Sequence, residues 1–188
     1  MRSEQDIYTL ILDVARKDEN IRLVILNGSR ANPLAKKDIF QDYDIVYYVT
    51  EITPYQNNMD FVNSFGEIMI LQIPEEMDTP PPENDSSYGY LMQFMDGSRI
   101  DLSIRPLKQH TQYLNTEHLT KVLLDKDGLA DEIAPPSDID FHPKPPTQKQ
   151  FEDCCNEFWW LSPYVAKGLW RGELIYPKFF LDGLMRTE

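Results

Sequence analysis

Two apolar runs, Ile21-Arg22-Leu23-Val24-Ile25-Leu26 and Ile45-Val46-Tyr47-Tyr48-Val49, leave this chain the least freedom of fold. Each has the length and composition of a buried strand. Just past the first comes the turn Gly28-Ser29-Arg30, and the second is opened by Asp42-Tyr43-Asp44. Side chains two apart on a strand share a face, so Asp42 and Asp44 are expected to point the same way. Two carboxylates side by side repel unless a positive charge sits between them. A divalent metal supplies that charge, and a phosphate chain held by the Gly-Ser turn is its natural companion.

The length, 188 residues, fits one domain, or one domain and the start of another. With 18 Lys and Arg against 31 Asp and Glu, the formal net charge is −13. That balance argues against nucleic acid as a partner, because phosphate backbones bind basic patches. It favours steering of a cationic small molecule, although solubility alone also explains such a surface. No apolar run approaches the roughly 20 residues that span a bilayer, so no membrane partner is expected. Met1-Arg2-Ser3-Glu4-Gln5-Asp6 lacks the regions of a signal peptide. The two cysteines, Cys154 and Cys155, are adjacent and form neither a disulfide framework nor a CxxC site. A reducing cytoplasm is the expected setting.

Ser3 and Asp6 form a capping box ahead of Ile7, Leu10, Ile11 and Val14, predicting a helix to about Lys17. Pro54 is expected in the first turn of a helix reaching about Ser64, and 68–73 reads as a strand. Three prolines at 80–82 mark 79–87 as a surface loop. Residues 88–95 and 98–105 read as a hairpin with Asp96-Gly97 in a type I′ turn. In its second arm Ile100, Leu102 and Ile104 alternate with Arg99, Asp101, Ser103 and Arg105, which puts Asp101 on the polar face. Residues 119–124 fit a strand or a helix end. Pro135-Pro136 and Pro143-Lys144-Pro145-Pro146 bracket a linker. This gives three segments: 1–134, a linker at 135–146, and 147–188. Thr147 and Gln150 cap an apolar, aromatic helical run over 151–170, which Pro163 is expected to kink or divide.

Asp42, Asp44 and Asp101 are the candidate catalytic and metal-binding residues. Adenylyl transfer asks a hydroxyl to attack the α-phosphorus of a nucleotide as pyrophosphate leaves. Metal ions about 3.5–4 Å apart neutralise that charge and hold attacker and leaving group in line. Magnesium takes carboxylate and water oxygens together with substrate phosphates. Asp101 suits either a third ligand or the general base. Gly28 lets backbone amides approach a phosphate, Ser29 adds a hydroxyl donor, and Arg30 is expected to contact the β- or γ-phosphate. On the aromatic helix, Phe158 and Trp160 are expected to pack as core. The polar Asn156 and Glu157, with Trp159, are candidates to bind a substrate's amines or hydroxyls, and Lys167 to reach a nucleotide phosphate; a solvated lysine is the alternative there. Cys154 and Cys155 read as small core residues. His110, His118 and His142 share no metal-ligand spacing and read as surface or satisfied histidines.

Gly28-Ser29, Asp42-Tyr43-Asp44 and Asp101 in Arg99-Ile100-Asp101-Leu102-Ser103-Ile104 resemble the polymerase-β-type nucleotidyltransferase fold. Met1-Arg2-Ser3-Glu4-Gln5, Phe40-Gln41-Asp42-Tyr43-Asp44-Ile45 and Cys154-Cys155-Asn156-Glu157-Phe158-Trp159-Trp160 narrow the resemblance to the aminoglycoside 6-adenylyltransferases, also called streptomycin adenylyltransferases. The resemblance implies an α+β fold: a mixed sheet flanked by helices, then a helical domain that closes the antibiotic site. It implies transfer of AMP from ATP, with Mg2+, to a hydroxyl of a cationic, streptomycin-type aminoglycoside. Asp42 and Asp44 would bind magnesium, Asp101 would be third acid or base, and Ser29 and Arg30 would hold the triphosphate. Family members run on through several more helices, so the helical domain is expected to be only begun here. That would expose Trp159, Trp160, Trp170, Phe179 and Phe180. The alternatives are a non-catalytic nucleotide-binding relative and a nucleotidyltransferase that modifies a protein. Oligomeric state is left open.

Overall fold

A computed structural model of the chain describes residues 1–82, 85–130 and 133–186. It packs as two units, Met1–Phe141 and His142–Glu188. The first unit runs α1 (Glu4–Lys17), β1 (Ile21–Asn27), β2 (Tyr43–Val49), α2 (Met59–Asn63), β3 (Ile68–Gln72), β4 (Tyr88–Phe94), β5 (Arg99–Pro106), α3 (His110–Thr116) and β6 (Thr120–Asp125). Its six strands form one mixed sheet in the order β3-β4-β5-β2-β1-β6. Only β2 and β5 pair in parallel; the other neighbours are antiparallel. This is the α+β architecture that the resemblance implies.

The capping box forms as expected: Asp6 N donates to Ser3 Oγ, and Ser3 N donates to the Asp6 carboxylate. Ile7, Ile11 and Ala15, four apart, then share one helix face and are fully buried. They pack with Val24, Leu26, Ile45, Tyr47, Ile100, Leu102 and Ile104 into the main core. Tyr47 reaches across that core and donates its hydroxyl to Ile11 O at 2.6 Å. On the other face Leu23, Ile25, Val46 and Tyr48 pack with Tyr113, Leu114 and Val122. β1 and β2 are therefore covered on both sides, which is why their sequences are continuous apolar runs. β5 has only its Ile100, Leu102 and Ile104 face in the core, hence its alternation.

Several local expectations need correcting. Pro54 begins a separate short 3-10 turn, Thr53–Tyr55, rather than a helix running to Ser64. Asn57 is left-handed (φ 52°), and Asn58 caps a new helix by accepting from Phe61 N. The 88–105 hairpin forms, but without a type I′ turn. Only Gly97 has positive φ there, Gly97 N donates to Phe94 O, and Phe94 N donates to Ser98 O. That is a three-residue loop ending in a left-handed glycine. The Asp96 carboxylate accepts from Ser98 N and Oγ within the turn and from Arg2 N and Nε, 94 residues away. Arg2 also donates to Phe65 O and Ser98 Oγ, fastening the N-terminus to this turn. The ambiguous 119–124 segment is the strand β6. Of the 79–87 loop, Thr79, Pro80 and Pro81 are exposed, while Glu83 and Asn84 lie outside the described residues.

The second unit consists of α4 (Gln148–Trp170), α5 (Ile175–Phe180) and a final turn, Leu181–Met185. Thr147 and Gln150 make the expected capping box. Pro163 does not divide α4, although it removes the amide that would bond Trp159 O. Ser162 Oγ donates to that carbonyl at 2.9 Å instead. Gly168 lets α5 approach: a Cβ there would lie 2.4 Å from Pro177 Cδ. Contrary to expectation, Phe158 and Trp160 are not core in this unit; they are 42% and 67% exposed. α4 buries only Leu161 and Gly168, a stripe too narrow to cover its aromatics. Trp159, Trp170 and Phe179 are exposed too, whereas Phe180 is half-buried and stacks on Tyr164. Cys154 and Cys155 are free and half-buried rather than core. Among the described residues, no helix is long and apolar enough to cross a membrane.

Candidate functional site

The acids are assembled by strand register. β2 and β5 run parallel with Asp44 opposite Asp101, and β1 lies on the other side of β2 with Asn27 opposite Asp44. Asp42 immediately precedes β2 and joins them from the same face. Carboxylate oxygens of Asp42, Asp44 and Asp101 all lie within 4.8 Å of one another. Among the described residues, this is the group of acids, histidines or cysteines placed to hold a metal ion. His110 instead lies with Nδ1 2.7 Å from Leu107 O, and His118 with Nδ1 2.6 Å from an Asp140 carboxylate oxygen.

Gly28 serves this cluster in a way its turn-forming role does not suggest. It sits at the end of β1 with φ +67°, and a Cβ would stand 2.2 Å from Asp44 Oδ2. The missing side chain is the space that the Asp44 carboxylate fills. Burial pushes the Asp44 carboxyl up to about 6; the charges of Asp42 and Asp101 add to this, and Arg99 opposes it. Three carboxylates converging on one point, offset only by Arg99, are the environment that a hard divalent cation with oxygen ligands neutralises. The donor set fits magnesium.

Around the acids, the expected phosphate contacts divide. Ser29 is exposed beside the cluster. Arg30, expected on a triphosphate, donates from Nε to Asp42 O and from Nη2 to Gln41 O, both at 2.8 Å, while its Nη1 lies 4.0 Å from Glu4 Oε2. Its guanidinium also lies 3.8 Å over the Tyr43 ring. Arg30 thus clamps the segment that delivers Asp42. Three further residues escaped the sequence reading. Asn27 donates to Tyr113 Oη and accepts from Thr120 Oγ1, tying β1 to α3 and β6 next to Asp44. Its signal was a polar side chain ending an apolar strand. Arg105 has a buried Nε without a hydrogen-bond partner and pairs with Asp85 through Nη2. Arg99 binds both oxygens of Asp101, Nε at 2.8 Å and Nη2 at 2.6 Å, and lies 3.8 Å from Asp42 Oδ2. Its signal was a cation two residues before a strand acid.

Two cavities flank the cluster. One, of about 270 Å³, is lined by Asn27, Asp44, Asp101, Ser103, Arg105 and Tyr113 among others. The other, of about 570 Å³, is lined by Arg30, Lys37, Phe40, Tyr43 and Arg99 among others.

Asn156, Glu157, Trp159 and Lys167 all lie on α4, in the second unit. Asn156, Trp159 and Lys167 are exposed and Glu157 is half-buried. Residues two apart on a helix are about 200° apart, so Glu157 and Trp159 do not share a face. Asn156 and Lys167, eleven residues apart, fall about three turns apart on one stripe. Lys167 Nζ stands 5.0 Å from the Tyr164 ring centroid.

The whole described length has counterparts of known type. A family model, streptomycin adenylyltransferase, matches residues 1–188. An aminoglycoside 6-adenylyltransferase of Bacillus subtilis (strain 168) is 42% identical over 189 residues, covering 100% of this chain and 66% of the relative. Proteins of the same name from Staphylococcus aureus and Campylobacter jejuni are 38% and 41% identical, with 67% and 65% of their lengths covered. A crystal structure of an aminoglycoside 6-adenyltransferase from Bacillus subtilis superposes with a TM-score of 0.58 at 37% identity, covering 99% of this chain and 64% of that one. The chain thus spans about two thirds of the length of the curated relatives it matches.

Proposed function

The chain belongs to the streptomycin adenylyltransferase family, and from that premise we propose that it transfers AMP from ATP to a hydroxyl of an aminoglycoside of the streptomycin type. The observation that carries this reading is the register of β2 and β5, which sets Asp44 beside Asp101 and next to the Gly28-Ser29 turn. In the reaction, the acceptor oxygen forms a bond to the α-phosphorus, and the bond from that phosphorus to the pyrophosphate oxygen breaks. The hydroxyl's proton must leave as the bond forms. Asp101 is the carboxylate that takes it, or it joins Asp42 and Asp44 around the metal. Magnesium, when bound, neutralises the charge gathering on the phosphates. Asp42 and Asp44 hold it, Ser29 donates to the triphosphate, and Arg30 keeps Asp42 in place through the backbone of Gln41 and Asp42.

From the second unit we assign Asn156, Glu157 and Trp159 to the aminoglycoside and Lys167 to a nucleotide phosphate, on the family motif that contains the first three. The net charge of −13 favours accumulation of a polycationic acceptor. The reading places the protein in the cytoplasm, where ATP is available and adjacent free thiols such as Cys154 and Cys155 persist. Incubation with ATP, Mg2+ and streptomycin, followed by mass spectrometry of the antibiotic, tests it. The expected product is streptomycin heavier by one adenylyl group, absent with Asp42→Ala. ATP binding without any such product would assign the chain instead as a nucleotide-binding module.

A further inference from the structure

We propose that Arg99 is a displaceable counter-ion of the acid cluster, which holds Asp101 while no metal is bound, yields it to a divalent cation, and then turns to the polyphosphate. This rests on the metal-dependent reading of the site. Both Asp101 oxygens accept from Arg99, and Asp42 lies 3.8 Å from the same guanidinium. A dication gathered by Asp42, Asp44 and Asp101 would sit within a few ångströms of that fixed positive charge, so the two compete for one carboxylate.

The surroundings favour exchange over a permanent bond. The Arg99 side chain is 46% exposed while Asp101 is 18% exposed, so the arginine is the member free to move. Arg99 lines the cavity of about 570 Å³, whereas Asp101 lines the other one of about 270 Å³. Their ion pair spans the boundary, and an arginine released from Asp101 remains at the wall of the larger cavity. Of the other cationic side chains there, Arg2 pairs with Asp96, Arg30 with backbone carbonyls and Lys37 with Glu4. A freed guanidinium offers paired donors suited to phosphate oxygens. Metal and nucleotide binding are then coupled through one side chain.

The test is a pair of binding titrations on Arg99→Gln, with circular dichroism to verify the fold. Mn2+ alone, followed by electron paramagnetic resonance, is expected to bind about three- to tenfold tighter to the variant than to the wild type. With Mn2+ saturating, α,β-methylene-ATP followed by calorimetry is expected to bind about three- to tenfold weaker to the variant. Arg99→Lys, which keeps the charge but not the fork, falls between in both. Opposite signs in the two titrations support the proposal, since a merely structural arginine would weaken both. Unchanged or uniformly weaker binding overturns it while leaving the metal site standing. Failure of the wild type to bind Mn2+ overturns the metal site and the proposal together.

Discussion

Asp44→Asn should stabilise the metal-free protein, by an amount that depends on pH in a defined way. The Asp44 carboxyl is raised from 3.8 to about 6, first by burial and then by its neighbours Asp42 and Asp101. Between those values the folded state holds a proton that the unfolded state has released, so stability falls as pH rises through the window. Above about 6 the full penalty applies. A shift of roughly 2 units corresponds to about 3 kcal/mol, and solvent screening of a partly exposed cluster reduces it to about 2 kcal/mol. Asparagine is nearly isosteric and does not titrate. Urea denaturation in chelator-treated buffer should therefore show the variant about 2 kcal/mol more stable at pH 8, with the gain gone near pH 3.5. Saturating Mg2+ should reverse the order at pH 8, because it stabilises only the protein that binds it well. An Asp44→Asn protein no more stable than wild type at pH 8 without metal, or a difference independent of pH, would show that Asp44 carries no such penalty.

Two further substitutions probe how the cluster is held. Gly28→Ala puts a Cβ 2.2 Å from Asp44 Oδ2 at a left-handed φ; it should cost about 1–2 kcal/mol in urea midpoint analysis from the backbone alone and weaken Mn2+ binding by about tenfold or more through displacement of Asp44. Arg30→Met keeps the stem but removes the donors to Gln41 O and Asp42 O and the contact with Tyr43; it should cost about 2–3 kcal/mol and weaken Mn2+ binding, whereas loss of nucleotide affinity with Mn2+ affinity intact would return Arg30 to the triphosphate.

What the sequence made legible was local. The Ser3-Asp6 and Thr147-Gln150 capping boxes, the β1 and β2 runs and the alternation of β5 each write their structure within a few residues. The pairing of Asp44 with Asp101 is not written that way. It depends on a parallel register between strands more than fifty residues apart, so sequence could name both acids without showing that they meet. The differences from expectation are partly non-local and partly local. Asp96-Gly97 reads as a type I′ turn, whereas the Asp96 carboxylate is taken by Ser98 and by Arg2, 94 residues away, in a three-residue loop. Pro163 is expected to kink or divide the run, and α4 is not divided there: Ser162 donates to the Trp159 carbonyl that the proline leaves without an amide. Arg30 and Arg99 read as a phosphate ligand and as one of several alternating polar residues. Their side chains close on the Asp42 carbonyl and the Asp101 carboxylate, contacts that no periodicity encodes because a long flexible cation can fold back.

We propose that Asp42, Asp44 and Asp101 form the metal centre at which the nucleotide's phosphates are held. Anomalous diffraction from crystals grown with Mn2+ and α,β-methylene-ATP tests it most directly. A manganese peak is expected about 2.1 Å from carboxylate oxygens of Asp42 and Asp44, with the phosphates of the analogue on the same ion beside Gly28 and Ser29. Nucleotide bound elsewhere, or phosphates ordered beside Gly28 and Ser29 with no manganese between them and the acids, would contradict it.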